Sequence, residues 1–159
     1  MQQIPSAIAD FLDAQGFVIV SSLDAQGFPH SSCKDIVKID TQGRIYLLDV
    51  YHGVTGENIE RNPKISISAV DEHKFAGYCL KGKARIMSDD NLSQELLKSW
   101  ENNVTSRLTK RLLKNLAEEQ GGGHHPEASF PKPKHLISFI VEEIVDLAQY
   151  HLRKEGTHG

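Results

Sequence analysis

Residues 44–83 constrain this chain more than any other stretch, because three strand-like runs there are separated by a Gly-rich entry into a short helix and then by a polar turn. In the middle run Ile65, Ile67 and Ala69 alternate with Lys64, Ser66 and Ser68, the period-two pattern of a sheet buried on one face. Before it, the chain passes through His52-Gly53-Val54-Thr55-Gly56 into a helix expected to open at Glu57-Asn58 and to stop at Pro63. Such an entry turns several free backbone N–H groups toward one spot, the geometry that receives anions. Any chemistry is expected there.

The flanking sequence extends the same pattern. Ile8, Phe11 and Leu12 have the spacing of an amphipathic helix over 5–15, with Pro5 at its start and Gly16 at its end. The β-branched run 17–20, the turn Asp24-Ala25-Gln26-Gly27 and the run 28–39 read as a hairpin, and Asp40-Thr41-Gln42-Gly43 turns the chain into 44–50. A long strand is expected over 75–87, with Gly82 marking a bulge or sharp bend. The words LDAQGF occur at Leu12 and Leu23, but one copy ends a helix and the other turns a hairpin, so they form no structural repeat.

From Ser88 the period changes to that of a helix, with Leu92, Leu96, Leu97, Trp100, Val104, Leu108, Leu112, Leu113 and Leu116 as the apolar positions. A spacing of four drifts by about 40° per step around a 3.6-residue helix. Two helices broken near Asn102-Asn103 are therefore expected. A Gly- and Pro-rich loop follows over 121–134, and a last strand over 136–147. The whole is read as one domain, 1–150, with a helical insertion at about 89–120 and a flexible tail at 151–159. Six mostly antiparallel strands with small flanking helices define a mainly β fold, a closed or split barrel rather than a parallel α/β sheet.

A formal net charge of −3 gives no general attraction to nucleic acid or anionic membranes, and neither is expected as a partner. Cys33 and Cys79 are too few and too far apart for a disulfide framework or a zinc pattern. The first residues have no basic start or continuous apolar run, and no segment reaches the ~20 apolar residues of a membrane span. A cytoplasmic protein is expected.

The order of these elements resembles the pyridoxamine 5'-phosphate oxidase-like FMN-binding split-barrel family. The resemblance is carried by GFPHSSCKD on the second run, LLDVYHGVTGENIERNPKISI across the next two, GYCLKGKARI on the fifth and VEEIVDL near the end. It covers about residues 5 to 90 and 135 to 148. It implies a six-stranded antiparallel split β-barrel and a homodimer with two FMN sites at the subunit interface. It also implies a flavin-dependent oxidoreductase with a small-molecule substrate or electron donor; haem-handling members make haem the alternative cofactor. Relatives typically carry Lys-Thr-Arg-Glu-Asn where this chain has Val54-Thr55-Gly56-Glu57-Asn58, followed in both by Asn-Pro, here Asn62-Pro63. Losing two charge-assisted phosphate contacts of roughly 1.5–3 kcal/mol each weakens FMN binding by about 10²- to 10⁴-fold unless Lys81, Lys83 or Arg85 replaces them.

On that resemblance the cofactor-binding residues are Ser32, Cys33, Lys34, Asp35, Tyr51, His52, Thr55, Gly56 and Asn58. Thr55, Gly56 and Asn58 are phosphate contacts on the family reading, and an ordinary turn with a backbone cap on the residues alone. Lys34 and Asp35 either face the flavin ring, where a donor stabilises the reduced anion, or form a surface ion pair. Cys33 reads as a small packed residue rather than a nucleophile, since no base neighbours it. Tyr51, Tyr78 and Trp100 either pack on a flavin or, as their spacing favours, serve as core or interface aromatics. His52 either contacts a ligand or sits in water. His124, His125, His135, His151 and His158 lack metal-ligand spacing, although one of them suffices for an axial haem ligand. Arg107, Lys110, Arg111 and Lys114 form a helical stripe that reads as a solvated face, with a partner or a substrate phosphate as the minority reading.

Overall fold

The structure, a computed structural model, describes residues 1–49, 53–88, 93–117 and 135–148, the side chains of 107, 110–112 and 114–117 excepted. In chain order the elements are α1 (Ser6–Ala14), β1 (Val18–Leu23), β2 (Pro29–Lys34), β3 (Ile36–Asp40), β4 (Arg44–Asp49), α2 (Val54–Arg61), β5 (Lys64–Asp71), β6 (Ala76–Ser88), α3 (Gln94–Ala117) and β7 (His135–Asp146). All strand pairings are antiparallel and join in one sheet of order β2-β1-β5-β6-β7-β4-β3.

That order determines the shape. β2 and β3 are opposite edges of the sheet, yet a single residue, Asp35, separates them in sequence. The sheet must therefore roll until its edges meet, which makes it a barrel split between β2 and β3. The run 28–39, expected as one strand, is two for this reason: its first half pairs with β1 and its second with β4. Seven strands replace the expected six, and the mainly β barrel class stands.

Alternation places Val18, Val20, Ile45, Leu47, Ile67 and Phe139 inside, all essentially without exposure. Ile8 and Leu12 of α1 close one end, and Ile59 of α2 packs against the same core. The hairpin turn forms as expected: Asp24 Oδ1 accepts from the N–H groups of Gln26 and Phe28, and Gly27 takes a positive φ of 85°. Gly82 lies where the β6–β7 register shifts, and a Cβ there would fall 2.0 Å from the Ile140 carbonyl oxygen, so the bend requires glycine.

Two helices depart from expectation. α2 opens at Val54, one turn earlier than Glu57-Asn58, with Gly53 extended before it. α3 is one continuous helix through Asn102-Asn103. Asn103 does not break it but anchors it, its Nδ2 donating to the Val37 carbonyl at 2.8 Å. The angular drift is accommodated because only the first turns dock: Leu96 and Trp100 are buried with Val37, Leu48 and Leu136, whereas Leu113 is exposed. Ser93 Oγ accepts from the Leu96 N–H at the helix start, while 89–92 lie outside the described residues. The expected loop 121–134 and tail 151–159 also lie outside them.

Candidate functional site

The rolled sheet brings β2 beside the end of β4 and the start of α2. On β2, Ser32 and Lys34 share the side facing the barrel, while Ser31 and Cys33 point to the opposite side. Ser32 Oγ lies 2.8 Å from Thr55 Oγ1, which ties the middle of β2 to the first turn of α2. Thr55 is buried and Ser32 half-buried. The Val54 and Thr55 N–H groups head the helix, where first-turn N–H groups have no partner within it.

Two residues along β2, Lys34 Nζ donates to Asp49 Oδ1 at 2.6 Å. Lys34 is 16% exposed and Asp49 only 1%. The second carboxylate oxygen of Asp49, also buried, has no hydrogen-bond partner among the described residues. Lys34 thus pairs with a buried carboxylate of β4, and the Asp35 backbone carbonyl accepts from the Leu48 N–H at 2.9 Å. Asp49 was invisible as a site residue in the sequence because an Asp ending a strand reads as a turn former. Only its nearness to Lys34, fifteen residues away, reveals it.

Asn58 faces elsewhere. Its Nδ2 donates to Ser22 Oγ at 3.0 Å and its Oδ1 accepts from Arg61 Nη2, which also donates to the Leu23 carbonyl. These bonds pin α2 to β1. Gly56 is buried inside α2.

Cys33 corrects the expectation of a packed residue. It is exposed, across from Ile19 on the outward face of an edge strand. Lys81 and Lys83, expected as replacement cations, lie on the outward side of β6 and pair there with Glu143 and Glu142 of β7. Arg85 is also exposed on that side. Trp100 is core, and Tyr78 packs edge-on against Phe11 at 5.1 Å. Tyr51, His52, His124, His125, His151 and His158 lie outside the described residues, as do the side chains of Arg107, Lys110, Arg111 and Lys114. Among the described residues no cluster of His, Cys, Asp and Glu is placed to hold a metal, and no helix is long and apolar enough to cross a membrane.

The site therefore joins Ser32, Thr55 and the α2 N-terminus to a compensated Lys34–Asp49 pair. Its hydroxyls both donate and accept, which suits a ligand with mixed hydrogen-bonding edges.

The sequence profile of the family described as pyridoxamine 5'-phosphate oxidase matches residues 4–147. Among curated proteins none matches the chain. Solved structures with a similar fold include HupZ of Group A Streptococcus, with 21% identity, a TM-score of 0.65 and coverage of 92% of this chain and 95% of that one. A Lactobacillus delbrueckii protein, provisionally named a pyridoxamine 5'-phosphate oxidase, has 16% identity and a TM-score of 0.62, over 91% of this chain and 95% of that one. A Clostridium acetobutylicum protein of the pyridoxinephosphate oxidase family, related to general stress protein 26, has 18% identity and a TM-score of 0.57, over 89% and 85%.

Proposed function

The chain belongs to the pyridoxamine 5'-phosphate oxidase family, and on that premise we propose that it is an FMN-binding oxidoreductase whose flavin lies between β2 and the first turn of α2. The observation that carries this reading is the Ser32–Thr55 hydroxyl pair at 2.8 Å, which joins the two elements at one polar spot. Ser32, Thr55 and the first N–H groups of α2 fit the hydrogen-bonding edges of a flavin. A bound flavin supplies hydride transfer to or from a small-molecule donor or acceptor. The protein's own residues bind and orient: Ser32 and Thr55 hold polar atoms of the ligand, and Asp49 holds Lys34 at the site's edge.

A homodimer with the sites at its interface accompanies this reading. Support comes from the outward side of the sheet, where Phe17, Ile19, Leu23 and Val70 are exposed beside small residues such as Ser31 and Cys33. Residues 1–150 acting as one domain in the cytoplasm complete the proposal, in keeping with two unpaired cysteines.

The test is an absorption spectrum of the purified protein before and after adding FMN and, separately, haemin. Flavin bands that shift on binding and survive gel filtration support the reading. A Soret band with haemin and no flavin binding would replace it with a haem protein.

A further inference from the structure

We propose that this site recognises the ring and ribityl part of a flavin and is indifferent to its 5'-phosphate, so that riboflavin and FMN are equivalent ligands. The inference rests on the flavin reading above and concerns which part of the ligand the site selects.

Helix N–H groups attract anions, but strong selection of a phosphate dianion over a neutral hydroxyl also draws on a cation free to meet it. Between Arg44 and Arg61 the chain has no Lys or Arg, and the first turn of α2 carries the acidic Glu57. Lys34 is the cation nearest the Ser32–Thr55 pair along β2, but it is held at 2.6 Å by Asp49. Were Lys34 to swing toward a phosphate, a carboxylate only 1% exposed would be left charged and unpaired, which a folded protein tolerates poorly. Arg61, at the other end of α2, is engaged by Asn58 Oδ1 and the Leu23 carbonyl. Lys81 and Lys83 are paired on the outward side of β6, and Arg85 faces outward with them, away from the barrel side on which Ser32 and Lys34 lie. What the site does offer is hydroxyls and helix N–H groups whose pull on an anion is offset by Glu57 in the same turn, so that they suit uncharged carbonyl and hydroxyl partners.

The experiment is a flavin-fluorescence titration of the full chain with riboflavin and with FMN, at about 50 mM and about 500 mM salt. Dissociation constants within about threefold of each other, changing less than about twofold with salt, are expected. FMN binding more than about tenfold tighter than riboflavin would overturn the inference while leaving the flavin reading intact. Binding of neither would overturn both. Two variants read the cause directly. Val54→Lys adds a cation at an exposed first-turn position and is expected to create a preference for FMN of about tenfold or more. Asp49→Asn releases Lys34 and is expected to shift the ratio the same way. Ratios unchanged in both variants, with the fold intact by circular dichroism, would mean that cation supply does not set selectivity and would overturn the inference.

Discussion

Two polar clusters lie one turn apart on α2, and they are built differently. Around Asn58, every polar group meets a partner: Ser22, Arg61 and the Leu23 carbonyl close the set, and Asn58 is only 2% exposed. Around Thr55 and along β2, the set stays open, with a half-buried Ser32, helix N–H groups and, beside Lys34, an Asp49 oxygen that has no partner among the described residues. Buried polar groups are normally satisfied, so a closed cluster is explained by stability alone. An open one beside a helix N-terminus asks for a ligand. On this helix burial does not distinguish the two clusters, Thr55 and Asn58 both being buried, whereas completeness of hydrogen bonding does.

The sharpest way to break this contrast is Lys34→Met. It leaves Asp49 charged and buried, and the loss should be about 3–5 kcal/mol in chemical denaturation. A loss below about 1 kcal/mol would mean that the pair is not held as described. Next in size is Asn58→Ala, which strips partners from Ser22 and Arg61 and should cost about 2–3 kcal/mol, while flavin affinity of the folded fraction stays within about twofold. Thr55→Val should show the reverse balance: stability within about 1 kcal/mol of wild type, and flavin affinity about tenfold lower.

The smallest effect is expected far from both clusters. Lys38 and Glu95 join β3 to α3, and their hydrogen bond raises the Lys38 pKa and lowers that of Glu95. The Glu95 contribution is present above its unfolded pKa and is lost as pH falls through the depressed folded value. The Lys38 contribution is present below its unfolded pKa and is lost as pH rises through the raised folded value. Glu95→Gln should therefore be slightly less stable than wild type at neutral pH and indistinguishable from it in acid, in parallel thermal melts.

Much of this architecture is legible in the sequence because its signals are local. The alternation at Ile65, Ile67 and Ala69, the Asp24–Gly27 turn and the Gly82 bend all act within a few residues, and each appears where expected. What escaped depends on contacts between distant segments. The break at Asp35 follows from the two halves pairing at opposite edges of the sheet, which no window around Asp35 contains. The continuity of α3 was missed because every apolar position was assigned to a buried face, whereas Leu113 is simply exposed. In the site, Ser32, Lys34 and Thr55 are named by resemblance, but the hydroxyl pairing and Asp49 emerge only when the barrel rolls.

On the proposed reading the open cluster, not the closed one, binds the flavin. One measurement tests it most directly: parallel FMN titrations of wild type, Thr55→Val and Asn58→Ala, each followed by flavin fluorescence on protein shown to be folded. Affinity should fall about tenfold in Thr55→Val and hold within about twofold in Asn58→Ala. Equal affinity in wild type and Thr55→Val, or a loss confined to Asn58→Ala, would contradict the account.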